Sequence, residues 1–168
     1  ADILTDGVQG FIMVGVGLLV AVMFCMGFGI EGGFDGMIEA LKTQDENLVG
    51  WLNVTNVLYH SWWSVLAVFL AHVPLVMLPH IGNKLWALKD PGQQMQFVRL
   101  AFVFALILAM LGFGGIMARV VLGEGIDSNQ ALALLFIDLF PAWFAALLGV
   151  GILAAVMSTA DGLVVSSS

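Results

Sequence analysis

The sequence predicts an all-α integral membrane protein with about four transmembrane helices, and three observations carry that prediction. Hydrophobic residues make up 61% of the 168 residues against 10% charged, and mean hydropathy is +1.04, far from the roughly 25% charged residues of a soluble domain. Long stretches carry no formal charge, 24 residues at 7–30, 19 at 100–118 and 22 at 139–160, each close to the ~20 that take a helix across a hydrocarbon core of roughly 30 Å. The charges that exist gather at the ends of these runs and in the connections between them. The net charge of -7 therefore describes loops rather than an acidic soluble surface, and it excludes the basic face that nucleic-acid binding needs. The single Cys25 lies inside an apolar run and cannot form an internal disulfide.

The first span is expected over residues 7–30, bracketed by Asp6 and Glu31. Its glycines would weaken a helix in water but let helices approach closely in lipid, so it belongs inside a bundle. Residues 31–56 form a polar connection with an amphipathic insert, where Phe34, Met37, Ile38 and Leu41 recur at helical spacing opposite Asp35, Glu39 and Lys42. That insert is expected along the membrane surface. The second span, about 57–81, carries His60, His72, Pro74, Pro79 and His80. Proline removes a helical hydrogen bond and clashes with the preceding turn, so Pro74 should break the helix near its middle. Irregular backbone at such depth is tolerated only where it is buried in protein or lines a cavity, and a kink with a packed histidine explains the same residues.

Residues 83–98 hold Lys84 and Lys89, with Arg99 next, and Pro91-Gly92 reads as a turn. Three of the five basic residues lie here, which makes this connection cytoplasmic by the positive-inside rule. The acidic 31–56 connection is then external. The third span, 100–118, ends at Arg119; a short apolar helix follows, capped near Ser128 or Asn129. Pro141 can open the fourth span, about 141–165, at its first turn.

That last span carries the chemistry. Ala155, Ser158 and Thr159 stand at i, i+3 and i+4 and share one helix face. A carbonyl keeps a second lone pair after its helical bond and each hydroxyl offers lone pairs, which together make half a cage for a hard cation. Without thiolates or a ring of carboxylates, sodium suits such a set better than zinc or calcium. Spacing alone leaves open the other reading, in which Ser158 and Thr159 bond back to the carbonyls of Ala154 and Ala155.

The run Ile152-Leu153-Ala154-Ala155-Val156-Met157-Ser158-Thr159-Ala160-Asp161 closely resembles the signature of the sodium/solute symporter family, which includes proline, pantothenate and glucose symporters. Leu4-Thr5-Asp6-Gly7-Val8-Gln9-Gly10 and Leu78-Pro79-His80-Ile81 fit the same family in order and separation. The resemblance implies a leucine-transporter-type inverted-repeat bundle, of which these spans are the last of the first repeat and the first three of the second. It implies sodium ligands at Ala155 (carbonyl), Ser158 and Thr159 (hydroxyls). It also implies a second sodium site reached by Asp6, Ser158 and Asp161, although Gly162 stands where that site has a hydroxyl. Ala71, His72 and Pro74 fall near the positions that line the solute site. The expected partners are the lipid bilayer, sodium as coupling ion, a small organic solute and the remaining helices of the same carrier. The expected location is the cell membrane, as a multi-pass protein.

No catalytic constellation is present, so no enzyme is expected and no cofactor beyond the coupling ion. The absence of an initiator Met and of a signal-peptide pattern, with an end inside the signature helix, leads to the expectation of a piece of a longer chain. Two other readings stay open from the residues: a membrane subunit binding haem or chlorophyll through His60, His72 or His80, and a purely structural one. The first has all three histidines on one span; the second leaves Ser158, Thr159 and Asp161 without a purpose.

Overall fold

The computed structural model describes residues 2–54, 56–73, 82 and 87–167, with side chains for all of these except 2–6, 154, 155, 158, 159, 161–163 and 165–167. Over that range it is helical. In chain order the helices are α1 (Asp2–Met26), α2 (Gly33–Gln44), a 3-10 turn at Glu46–Leu48, α3 (Trp62–His72), α4 (Pro91–Ala109), α5 (Leu111–Leu122), α6 (Ala131–Leu139) and α7 (Ala142–Ser167).

The long first helix is the hub: α2, α4, α5 and α7 all pack against it, and α6 fills the space between α5 and α7. One continuous core results, with Val16, Val20 and Met23 of α1 meeting Met37 and Leu41 of α2, Met117 and Ala118 of α5, Leu135 and Phe136 of α6, and Ala145 and Leu148 of α7. Two close approaches make the packing possible. The Cα of Gly17 lies so near α4 that a Cβ would meet the carbonyl oxygen of Ile107 at 2.8 Å. The rings of Phe24 and Phe113 stack with centroids 4.4 Å apart, tying α1 to α5.

Among the described residues, two helical stretches are long and apolar enough to cross a membrane, Gly7–Met26 and the 32 residues Pro91–Leu122. The second is about 48 Å long at 1.5 Å per residue, more than a hydrocarbon core of roughly 30 Å. Its first turns, with Gln93, Gln94, Gln96 and Arg99, therefore extend beyond the core. The stretch is nearly continuous: at Met110 the bonds tighten to Met110 N–H donating to Ile107 O and Phe113 N–H to Met110 O, a single 3-10 step.

Several boundaries differ from those read off the charges. The first helix stops at Met26 rather than near Ile30 because Gly27 takes φ 60°. Gly27 N–H donates to Phe24 O at 3.1 Å and Phe28 N–H to Met23 O at 2.9 Å, the two bonds of a Schellman C-terminus that only glycine adopts without strain. Residues 57–60 form turns, and α3 begins at Trp62 behind a reciprocal capping box between Ser61 and Ser64. The remainder of the expected second span, 74–81, lies outside the described residues. Pro91-Gly92 is not a turn: Pro91 opens α4, and the Asp90 carboxylate caps it by accepting from Gln93 N–H at 2.9 Å. The cap expected at Ser128 or Asn129 is displaced as well. Asp127 accepts from the backbone and side-chain amides of Asn129, and α6 starts after Gln130 without a side-chain cap. Pro141 sits one residue ahead of α7, where its carbonyl accepts from Phe144 and Ala145.

The amphipathic insert is helical, as its spacing requires, but part of its apolar face is covered by protein. Met37 and Leu41 are buried against the bundle. Its far end is clasped to α5, where Arg119 Nε donates to Gln44 Oε1 at 3.0 Å and Gln44 Nε2 to Arg119 O at 3.4 Å. Arg119 also pairs with Glu124 at 2.9 Å. The 27–49 and 120–140 connections thus share one end of the bundle.

Candidate functional site

The seam between α1 and α7 is the feature that positions the signature residues. At one end the Phe28 and Phe140 rings stack with centroids 5.8 Å apart, just before α7 begins. Further along α7, a Cβ on Gly151 would meet Ile12 Cγ2 at 2.9 Å and Val16 Cγ2 at 3.2 Å. Moving forward on α7 is moving backward on α1, so the two helices run antiparallel. The glycine is what lets them touch.

The face of α7 in this seam is a stripe of Ala145, Leu148 and Gly151, all buried, with Ile152 half-buried. The opposite side, with Val150, Leu153 and Met157, is more than half exposed. Because α7 stays helical through Ser167, positions 155 and 159 follow Gly151 by one and two turns along the helix, and 158 stands beside 159. Position 161 lies farther round the helix. The side chains of Asp6, Ser158, Thr159 and Asp161 and the Cβ of Ala155 are outside the described residues, so register is what the fold supplies for them. By that register, position 155 is level with Gln9 of α1, and 158 and 159 are level with Thr5 and Asp6.

In this way the fold brings the first-helix motif and the last-helix motif to the same end of one seam, the end opposite the clasped connections. On the α1 side Ile12 and Val16 face Gly151 of α7, and position 9 stands one turn earlier along the same helix. Sequence reasoning included Gln9 in its motif without giving it a role. Yet Gln9 Oε1 is the buried side-chain polar atom without a hydrogen-bond partner among the described residues. The signal available was its spacing from Ile12 and Val16, which puts an amide on the packed face; that this face meets α7 could not be read locally.

Of the residues expected near the solute, Ala71 and His72 lie away from this seam. Ala71 and His72 close α3, whose side chains are largely exposed among the described residues. The His72 ring Nδ1 is 2.6 Å from Val68 O of its own helix, and His60 Nδ1 is 2.9 Å from Val57 O. The α-helix ends at His72, two residues before Pro74, which with Pro79 and His80 lies outside the described residues.

In comparisons with known proteins, the family model described as sodium:solute symporter family matches residues 1–168. No curated protein and no solved structure matches the chain.

Proposed function

The chain belongs to the sodium:solute symporter family, and from that premise we propose that it forms four core helices of a sodium-coupled carrier whose ion is held against α7. Membership makes it part of a membrane transporter rather than an enzyme, with sodium and a solute as what it binds. The haem, chlorophyll and purely structural readings have no such support. The observation that carries the proposal is that the match runs the length of the chain, through the stretches that hold Asp6 and Ser158.

The mechanism follows from what those residues can do. Oxygens of Ala155, Ser158 and Thr159 replace part of the water shell of a bare alkali ion, on a helix face whose earlier turns are already buried. Asp6 and Asp161 serve a second ion, Asp6 from α1 at the level of Ser158. Ion binding adds a contact between α7 and its neighbours, and so favours the arrangement in which that contact is closed. Release into a low-sodium compartment removes it. The driving force is the ion gradient plus about 2.3 kcal/mol per charge for each 100 mV of membrane potential.

The solute is a small organic molecule taken up around Ala71 and His72, at the end of α3, and Pro74, since discontinuous helices hold substrates in carriers of this architecture. Further helices of the same carrier complete both sites. Residues 83–98 face the cytoplasm of a cell membrane, and residues 31–56 and 120–140 face outward. Uptake of a panel of amino acids, vitamins, sugars and monocarboxylates by the intact carrier in vesicles tests this. Uptake of at least one solute should require inward sodium and collapse when the gradient is abolished; uptake indifferent to sodium would refute it.

A further inference from the structure

We infer that the cavity between the end of α5 and the start of α6 is a binding site for a small carboxylate, held by Arg119. The inference goes beyond the reading above and stands on other residues, at the end of the bundle opposite the signature turn of α7. The cavity has a volume of about 220 Å³, room for about seven waters at roughly 30 Å³ each. Drug-sized ligands occupy roughly 300–1,000 Å³, so an occupant here is small. Ala118, Ile126 and Ala131 line it together with glycines, and Arg119 and Ser128 are the lining residues with polar side chains. One cation, one hydroxyl and short aliphatic walls suit a carboxylate with a short apolar tail.

The Arg119 guanidinium has donors to spare. Its Nε donates to Gln44 Oε1 at 3.0 Å and its Nη2 to Glu124 Oε1 at 2.9 Å. A guanidinium carries five N–H groups in a fork that takes both oxygens of a carboxylate, yet Glu124 engages it through one oxygen. The bond to Gln44 fixes how the fork is turned. The bond to Glu124 is the replaceable one, because both side chains are exposed, 39% and 65%, and exposed ion pairs contribute little. Glu124 also stands between Gly123 and Gly125, at φ 86° and 87°, and a Cβ on either glycine would meet nothing within 4 Å. The backbone on both sides of Glu124 therefore has space to shift. Glu124 acts as a placeholder that an incoming carboxylate displaces, which leaves the charge at the guanidinium balanced. With the 120–140 connection facing outward, the ligand arrives from the external medium.

Thermal unfolding of the purified intact carrier tests the site, with sodium propionate replacing sodium chloride at constant sodium. A ligand that binds the folded state raises the unfolding temperature with increasing concentration. Propionate should do so in the wild type, and propionamide, its uncharged isostere, should not. Glu124→Gln removes the competing carboxylate and should lower the propionate concentration needed for a given rise about threefold, the worth of an exposed ion pair. Arg119→Gln should abolish the rise. Ser128→Ala should weaken it while leaving the bond between Arg119 and Gln44 in place, so it serves where Arg119→Gln accumulates poorly. Equal propionate dependence in wild type and Glu124→Gln would overturn the inference, as would an undiminished rise in Arg119→Gln or Ser128→Ala, or an equal effect of propionamide. No rise in either wild type or Glu124→Gln would overturn it too. Each of these failures leaves sodium-dependent uptake and the α7 site untouched.

Discussion

At the scale of single residues, two glycines of the same helix should respond oppositely to the same change. Gly151 has Ile12 Cγ2 2.9 Å from where a Cβ would stand, whereas a Cβ at Gly149 would meet nothing within 4 Å. Branched methyl groups are not free to swing aside, so Gly151→Ala should destabilise the bundle by about 1–3 kcal/mol. Gly149→Ala should be neutral or stabilise by up to ~1 kcal/mol through helix propensity. Thermal unfolding of the purified carrier in detergent reads both. Because Gly151 sets the separation of α1 from the turn that follows it, Gly151→Leu should in addition weaken sodium dependence without touching an ion ligand.

At the scale of elements, the differences between charge pattern and helix ends have physical causes. A charge marks where the hydrocarbon ends, while a helix ends where its backbone bonds are redirected. Glu31 is the first charge after α1, but the Schellman turn at Gly27 has already closed the helix. Arg99 precedes the third apolar run, yet nothing there breaks the helix, so α4 extends back to the Asp90-Pro91 pair. That pair was a legible start signal, a capping carboxylate followed by proline at the first helical position. The basic residues around it drew attention to topology instead. Asp90→Ala should cost about 1 kcal/mol, again read by thermal unfolding, with sodium dependence unchanged. The face shared by Ala155, Ser158 and Thr159 was legible because it lies on one helix; the closure of Gly151 on Ile12 and Val16 was not, because it joins helices far apart in the chain.

At the scale of the whole molecule, the hub arrangement separates two ends with different work. The end held by Phe28 against Phe140 and by Arg119 with Gln44 is stapled by stacked rings and hydrogen bonds. The other end collects the Thr5 to Gln9 and Ala155 to Asp161 motifs. The proposed orientation is checked by cysteine accessibility in a Cys25→Ser background. Trp51→Cys, at a position 95% exposed, should react with an impermeant maleimide added outside intact cells. Gln96→Cys should react only after the membrane is opened. The reverse pattern would invert the assigned topology.

If the hydroxyl-bearing turn of α7 holds the coupling ion, equilibrium binding of radioactive sodium to the purified intact carrier depends on its hydroxyls. Ser158→Ala and Thr159→Ala should each weaken binding roughly tenfold or more, as expected for loss of one oxygen bound to a charge, with thermal stability in the absence of sodium unchanged. Wild-type sodium affinity in both variants would contradict the account.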